Sequence, residues 1–361
     1  MQVVVIGGGV IGLSVALAVL RRGHSVTLLD AAPEAREASW AAGGMLAPHN
    51  EADGDGPLWR FGCRSLERWP GFLADAGIES EAVDFRQRGS LMPVLDAQDR
   101  HQVEAKMAFL AEVGVGSQWL DAARCRAIEP AIAAPQGALA VPGGQIDPRR
   151  LLHALCAVVA DAGGVLCYRQ AVVAIEDGSV VTADGRCHAA DEVVLASGAW
   201  TSTLADLSDC QLPGEPVKGQ LLRFAVDDGL LQRYVHCRHA YCIPRRGAGI
   251  VVGASMVSSG FDRSEDPEAI GVLADGARRL LPVLRHHRVC ETWTGLRPRL
   301  QGGLPCIGRV RPGLVVATGH FRNGILLAPG TADAVAALLI DGVSGLPAAL
   351  AGPLAAGVEA P

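Results

Sequence analysis

The 361-residue chain has 49% hydrophobic and 19% charged side chains, a composition typical of a globular protein with a large core. This length corresponds to about two domains. The formal net charge of −6 gives no electrostatic basis for binding nucleic acid or an anionic membrane surface. The ten cysteines include no C-x-x-C pair, so we expect reduced, mostly buried thiols and a cytoplasmic protein.

The first thirty residues predict a dinucleotide-binding βαβ unit. A β-type run, a G-x-G-x-x-G motif, an apolar helical stretch and a second β-type run follow one another without interruption. In such a unit Gly7 permits the sharp turn, Gly9 lets backbone N–H groups approach a pyrophosphate, and Gly12 lets helix and strand pack closely. Asp30, eighteen residues beyond Gly12, is placed to accept hydrogen bonds from ribose hydroxyls.

A membrane span or a signal sequence is the alternative for the same segment, because residues 1–20 carry no charged side chain and Arg21-Arg22 follows them. A signal sequence has positive charge before its apolar core, and none is present here. Three successive glycines would also weaken a spanning helix. The βαβ interpretation accounts for every one of them and is preferred, so no membrane association is expected.

The next part of the chain predicts further α/β elements. Pro70 must end or kink the helix in which it lies, whereas Pro148 suits the first turn of the helix that it begins. The elements predicted in order are a shielded loop of small residues at 40–48, a helix at 56–77, a strand at 85–95, a helix at 99–113 and a helix at 149–162.

Three short strands are predicted between residues 165 and 182, and a buried strand at 193–196 ends in Ser197-Gly198-Ala199-Trp200. Small residues at the carboxyl end of a buried strand are typical of the place where an α/β sheet meets its ligand. Gly198 is therefore a candidate cofactor contact.

A second domain is predicted from runs that alternate in the β manner without helices between them, at 217–226, 233–244 and 249–255. A helix at 266–284 and a strand at 289–294 follow. The cluster of His236, Cys237, His239 and Cys242 lies in one of these strand-like runs. Its side chains would point to opposite faces, so we expect no metal site there.

The cofactor is NAD or FAD on the evidence of the N-terminal motif alone. A flavin enzyme often returns a C-terminal strand, glycine and helix beside the first βαβ unit, and residues 314–327 have this form with Gly319 at the turn. The helix N-terminus would lie near the flavin pyrimidine, where negative charge gathers on reduction. This feature favours FAD.

These motifs resemble the D-amino-acid oxidase superfamily of FAD-dependent enzymes, and the resemblance covers nearly the whole chain. Asp30 stands where the family commonly has glutamate, and either carboxylate can hold ribose hydroxyls. The shared motifs are residues 7–12, Asp30, Gly44-Met45-Leu46, residues 196–200 and Lys218-Gly219. Those similar to the glycine oxidase branch in particular are residues 241–245, 251–256, 293–298 and 320–329.

The resemblance implies an α/β, two-domain flavoprotein with a Rossmann-like FAD-binding domain and an antiparallel-sheet substrate domain. The FAD-binding domain would comprise residues 1–85, 145–212 and 296–361, and the substrate domain residues 86–144 and 213–295. The FAD would be bound non-covalently. The residues expected to contact it are Gly7, Gly9, Val10, Ile11, Gly12, Asp30, Ala31, Ala38, Ser39, Gly43, Gly44, Met45, Val172, Gly198, His320, Phe321, Arg322, Asn323, Gly324, Ile325 and Leu326.

The resemblance further implies that Arg297 pairs with a substrate carboxylate, helped by Tyr241, with Arg322 near the same pocket. A planar guanidinium suits an α-amino acid because it binds both carboxylate oxygens and so orients the Cα–H bond. The alternatives are a surface or ion-paired arginine for Arg297, a sheet-filling aromatic for Tyr241, and a brace of the flavin loop for Arg322. Met256 is expected in the pocket wall or core. No catalytic acid or base is required if the amine arrives neutral.

The expected reaction is FAD-dependent oxidation of glycine, sarcosine and small D-amino acids to the 2-oxo acid, ammonia and hydrogen peroxide. Glycine would give glyoxylate, and the resemblance connects the reaction to thiamine biosynthesis. The expected partners are the amino-acid substrate and oxygen, with the protein as a homo-oligomer. The alternatives are a D-amino-acid dehydrogenase or sarcosine oxidase-like flavoenzyme, a flavin-binding subunit without activity of its own, and an NAD-dependent dehydrogenase.

Overall fold

The computed structural model describes residues 1–33, 36–133, 136–205 and 212–351 of the chain. The predicted Ala/Gly/Pro-rich tail lies largely outside these residues. A six-stranded sheet forms the centre of the first domain. All of its strands are parallel except one edge strand, Cys306–Arg311. In spatial order they are β18 (Cys306–Arg311), β19 (Leu314–Thr318), β12 (Glu192–Leu195), β1 (Gln2–Ile6), β2 (Ser25–Asp30) and β8 (Val165–Tyr168).

Both faces of this sheet are covered, as expected for parallel strands with continuous apolar runs. Successive residues of β1 point to opposite faces, so Val3 and Val5 join one core cluster while Val4 and Ile6 join another. The first face is covered by α1 (Val10–Leu20), α7 (Pro148–Asp161) and α10 (Gly324–Asp341), and α4 (Pro57–Ala76) packs on α10. The second face packs on the antiparallel strands β9 (Val172–Glu176), β10 (Ser179–Thr182) and β11 (Cys187–Ala189).

The second domain is built on an eight-stranded sheet. One neighbouring pair of strands, Tyr234–His236 and Ser90–Pro93, is parallel, and every other pair is antiparallel. In spatial order the strands are β17 (Val289–Leu300), β13 (Gly214–Phe224), β16 (Gly249–Gly253), β15 (Tyr241–Arg245), β14 (Tyr234–His236), β4 (Ser90–Pro93), β6 (Ala138–Val141) and β5 (Gln118–Leu120). Its helices are α5 (Ala97–Glu112), α6 (Ala122–Ile128) and α9 (Pro267–Leu280).

Short elements connect the two large sheets. The indole N–H of Trp293, on β17, donates to the carbonyl of Ala41 at 2.9 Å and so attaches one of these elements to the second domain. The short elements are α2 (Ala38–Ala41), α3 (Pro48–Glu51), α8 (Thr201–Ala205) and the two-stranded pair β3 (Met45–Leu46) and β7 (Gly144–Gln145).

Most predicted elements are confirmed, although the bounds of several differ. The helix α4 passes through Pro70 and ends at Ala76, and Gly77 caps it with a left-handed φ of +66°. The predicted strand 233–244 is two strands, β14 and β15, because a turn closed by the hydrogen bond from Cys237 N to Ala240 O separates them. The last strand of the eight-stranded sheet continues to Leu300 rather than ending at residue 294.

The predicted domain division follows the two large sheets at most of its boundaries. The boundary at residue 296 falls within β17, which pairs with β13 along its whole length. We therefore propose the same two domains with this boundary moved to about residue 301, after the end of β17.

Candidate active site

A cavity of about 600 Å³ lies between the two domains and extends from the glycine motif to the eight-stranded sheet. Of the residues predicted to contact a cofactor, Gly12 and Leu326 lie outside its lining. Those that line it are Gly7, Gly9, Val10, Ile11, Asp30, Ala31, Ala38, Ser39, Gly43, Gly44, Met45, Val172, Gly198, His320, Phe321, Arg322, Asn323, Gly324 and Ile325.

The glycine motif is as tightly packed as its predicted roles require. Gly7 has φ +114°, and a Cβ placed on it would lie 2.4 Å from the carbonyl oxygen of Ala196. A Cβ on Gly12 would lie 1.9 Å from the carbonyl oxygen of Gly7. Gly12 therefore supports the turn from behind and makes room for α1, while Gly7 forms the turn itself.

The N-terminus of α1 presents backbone donors to the cavity. Val10 N–H donates to the hydroxyl of Ser39 at 3.0 Å. The N–H groups of Gly9 and Ile11 donate to no acceptor among the described residues. Free N–H groups at the positive end of a helix are the usual contacts of a pyrophosphate.

Asp30 lies at the carboxyl end of β2, and both of its carboxylate oxygens are engaged. They accept hydrogen bonds from Gly8 N at 2.6 Å and from Ala32 N at 2.7 Å. Burial raises the pKa of Asp30, and the two N–H donors oppose that rise. Each carboxylate oxygen keeps a further lone pair, which suits the predicted contact with ribose hydroxyls.

The N-terminus of α10 forms another part of the cavity wall, and a short 3₁₀ helix, Phe321–Asn323, separates it from His320. The His320 ring is buried, and its Nε2 lies 3.1 Å from the hydroxyl of Thr331. Burial lowers the pKa of His320 to about 3, so the ring is neutral over the physiological range. This agrees with the prediction that His320 contributes a backbone contact rather than a base.

The sequence predicts Arg297 beyond the end of a strand at residue 294, whereas the structure places it within β17. Its Nη1 donates to the carbonyl oxygen of Ser255 at 3.2 Å, and no carboxylate lies within 4.0 Å of it in the described part of the chain. Burial lowers the pKa of Arg297. A largely buried guanidinium without an ion pair is costly, so it is a candidate for binding an anion from outside the protein.

Tyr241 and Gly219 complete the surroundings of Arg297. A Cβ on Gly219 would lie 2.3 Å from the guanidinium nitrogens, so the glycine leaves the space in which Arg297 lies. The Tyr241 hydroxyl is close enough to influence the pKa of Arg297, and burial raises its own pKa to about 12. Tyr241 is therefore a neutral hydrogen-bonding group beside a cation.

Arg322 differs from Arg297 because it has a carboxylate partner. Its Nη2 lies 2.7 Å from Oε2 of Glu51, a cavity residue that the sequence analysis missed. Glu51 ends a helix of only four residues, α3, and lies in no recognisable pattern. The prediction that Arg322 lies near the substrate pocket agrees with its place in the lining, but its charge is already balanced by Glu51.

On the amino-acid oxidation that the resemblance implies, we expect the Glu51→Gln variant to release Arg322 and to favour substrates with an acidic side chain. The ratio of kcat/KM for D-aspartate to that for glycine should rise about tenfold, since a freed guanidinium gains a charged partner. Steady-state kinetics with both substrates measures this ratio. The exposed Glu79→Gln variant is the control, and an unchanged ratio in Glu51→Gln would show that the ion pair does not influence side-chain selection.

The structure does not bring Met256 to the cavity. Its side chain is 56% exposed and lies beyond the end of β16, so the predicted place in the pocket wall or core is wrong. Beyond Gly253 the chain continues beside β13, where Ser255 N donates to Gln220 O at 3.2 Å and Val257 pairs with Lys218. Further lining residues that were not predicted as contacts include Glu37, Gln170, Trp200, Thr203 and Gly219.

A group of three potential metal ligands, Asp96, Asp99 and His239, lies in the second domain. The guanidinium of Arg238 already bonds Asp96 at 2.7 Å and lies 3.5 Å from Asp99. A protein cation thus occupies the position that a metal ion would take.

Known proteins identify the family to which this chain belongs. The profile of the family described as "FAD dependent oxidoreductase" (DAO) matches residues 2–338. The chain belongs to this FAD-dependent oxidoreductase family. The predicted superfamily, the α/β flavoprotein fold and the cofactor FAD are therefore confirmed, and the donors and carboxylate around the cavity fit that cofactor.

Several glycine oxidases are similar to this chain over nearly their whole length. A glycine oxidase from Geobacillus kaustophilus is 32% identical, covering 94% of this chain and 92% of that protein. A glycine oxidase from Pseudomonas putida is 33% identical and covers 94% of each. The crystal structure of the Geobacillus kaustophilus glycine oxidase superposes with a TM-score of 0.89 at 29% identity, covering 97% of this chain and 98% of that one.

The L-proline dehydrogenase from P. horikoshii has a TM-score of 0.86 at 22% identity, which shows a shared fold alone.

One helix in the described part of the chain, Phe321–Asp341, is long and apolar enough to cross a membrane. Most of it is buried inside the protein, where it packs on α1 and α4. Its apolar character is explained by its place in the core of the FAD-binding domain.

Proposed function

We propose that this family member oxidises glycine and other small amines that carry an α-carboxylate, with oxygen as the electron acceptor. The observation that carries the proposal is Arg297, a largely buried guanidinium without a carboxylate partner that lines the same cavity as the glycine motif. The names of the similar proteins, glycine oxidases, support the substrate class. Glycine, oxygen and water would give glyoxylate, ammonia and hydrogen peroxide.

The predicted cofactor contacts that line the cavity remain part of this proposal. FAD, when bound, supplies a two-electron acceptor for the hydride that leaves the substrate Cα. The donors at Gly9 and Ile11 would hold its pyrophosphate, and Asp30 its ribose. The family resemblance implies that the cofactor is held without a covalent bond. Denaturation of the purified protein should therefore release all of its flavin into the supernatant.

In the proposed reaction the protein binds and orients the substrate. Arg297 would bind the substrate carboxylate with Nη2 and the remaining donor capacity of Nη1, and the Tyr241 hydroxyl would add a neutral hydrogen bond. Fixing the carboxylate aligns one Cα–H bond, and orientation of this kind contributes strongly to rate. We assign no acid or base, because His320 is neutral and Glu51 is paired with Arg322.

A D-amino-acid dehydrogenase or a sarcosine oxidase-like enzyme is the second candidate. Hydrogen peroxide released during turnover of glycine in air separates the candidates. Peroxide formed in a one-to-one ratio to glyoxylate supports the oxidase. Turnover that requires an artificial electron acceptor contradicts it and supports the dehydrogenase.

We also propose a place in thiamine biosynthesis, a cytoplasmic location and a homo-oligomeric state. A bifunctional protein ThiO/ThiG from Nostoc sp. is 33% identical and matches 94% of this chain over 53% of its own length, which supports the first of these. Complementation of a thiamine-requiring strain that lacks its glycine oxidase, and light scattering of the purified protein, test the pathway and the oligomer.

A further inference from the structure

Arg245 is a buried cation to which the proposed reaction gives no role. It ends β15, four residues beyond Tyr241, and only 4% of its surface is exposed. No carboxylate lies within 4.0 Å of it in the described residues, and its Nη1 has no hydrogen-bond partner there. Because a buried guanidinium keeps its charge, such a residue is expensive unless it has a specific task.

The contact that Arg245 makes is with the loop at the cavity wall. Its Nη2 donates to the carbonyl oxygen of Gly43. Gly43 and Gly44 line the large cavity, whereas Arg245 does not, so the guanidinium lies behind the loop as seen from the cavity. The Gly43 carbonyl is thereby held away from the cavity.

The orientation of this carbonyl determines the direction of the next N–H group. In a trans peptide the C=O and N–H bonds point in opposite directions, so the Gly44 N–H is directed towards the cavity. It donates to no acceptor among the described residues. The carbonyl of Gly44 is fixed separately, since it accepts from Ile146 N at 2.9 Å. Both peptide groups that flank Gly44 are thus held in place.

We propose that Arg245 is a positioning residue that orients the Gly43–Gly44 peptide, so that the Gly44 N–H donates a hydrogen bond to the flavin ring. The positive charge behind the loop adds to this effect, because negative charge accumulates on the flavin when it is reduced. The inference rests on the placement of FAD given under the proposed function. It does not depend on the identity of the amino-acid substrate.

The test compares purified Arg245→Met and wild-type holoproteins without any amino-acid substrate. Methionine has a similar length but no donor and no charge. We expect the flavin absorption spectrum to shift, the flavin reduction potential to fall, and the dissociation constant for sulfite, which adds to oxidised flavin, to rise about tenfold, the effect of one charge-assisted hydrogen bond. The KM for glycine should change less than about threefold, because Arg297 is untouched.

The Arg246→Met variant is the matched control. Arg246 follows directly in the chain, but its side chain is 48% exposed and lies 3.9 Å from Asp84 rather than at Gly43. Its flavin properties should equal those of the wild type. A wild-type spectrum, potential and sulfite affinity in Arg245→Met would overturn the proposal. Since these readouts need only bound flavin, they separate this proposal from the choice of glycine as substrate.

If Arg245→Met does not fold, a measurement on the wild-type protein tests the Gly44 hydrogen bond, without which the proposal fails. Hydrogen exchange resolved to single amides should show that FAD binding slows exchange of the Gly44 N–H at least about tenfold, as expected for a new hydrogen bond. An exchange rate that FAD leaves unchanged would overturn the proposal.

Discussion

Replacing Arg297 with methionine will lower kcat/KM for glycine by about 10²–10³-fold, while the protein keeps its full complement of FAD. The loss is large because the cation is largely buried and has no ion-pair partner among the described residues, so a bound carboxylate would lose its only contact cation. The folded protein should not be weakened much, because removing an unpaired buried charge also removes its desolvation cost.

Steady-state kinetics measure the loss of kcat/KM, and the ratio of flavin to protein measures the retention of FAD. The Arg299→Met protein is a control on the same strand, since Arg299 lies outside the cavity lining and pairs with Glu215. We expect its kcat/KM to remain within about twofold of the wild type. If the Arg297→Met protein oxidised glycine at the normal rate, Arg297 would not be the carboxylate site.

Substituting Gly12 with alanine will abolish FAD binding. The added Cβ would lie 1.9 Å from the carbonyl oxygen of Gly7, a backbone atom that cannot move without opening the turn. The turn holds the donors of the α1 N-terminus and the Gly8 N–H that bonds Asp30, so both the pyrophosphate and the ribose contacts would be displaced. We expect a colourless protein whose melting temperature no longer rises when FAD is added.

The Gly271→Ala variant separates this effect from a general sensitivity of glycines. Gly271 lies in α9, and a Cβ added there would meet nothing within 4 Å. Alanine at such a helical position should retain FAD and stabilise the protein by up to about 1 kcal/mol. A Gly12→Ala protein that bound FAD as well as Gly271→Ala would show that the packing of Gly12 against Gly7 does not support the cofactor site.

The cofactor half of the site could be predicted because it is local in sequence. The glycine motif and Asp30 lie within one βαβ unit, so the spacing of their residues already determines their geometry. Gly319 and the helix after it carried a comparable signal, since a strand, a glycine and an apolar helix are consecutive. In each case the feature is one of backbone geometry at the cavity wall, and a pattern of residue types is enough to predict it.

The substrate half depends on contacts between distant segments, which spacing does not reveal. Glu51 could not be recognised as the partner of Arg322, because the pair joins a four-residue helix to a turn 271 positions later in the chain. In the sequence Arg245 is only the last residue of the motif 241–245. Its burial behind Gly43 could not be predicted, because it depends on how the two domains meet. The prediction for Met256 failed because the direction of the chain beyond β16 cannot be read from an alternating pattern.

Anaerobic addition of glycine to the purified holoprotein tests the central proposal most directly. We predict that the visible absorption of oxidised flavin bleaches completely, and that air restores it with release of hydrogen peroxide. The Arg297→Met protein, mixed in the same way, should bleach far more slowly at equal glycine concentration. A wild-type flavin that stays oxidised in the presence of saturating glycine would contradict the assignment of this cavity to glycine oxidation.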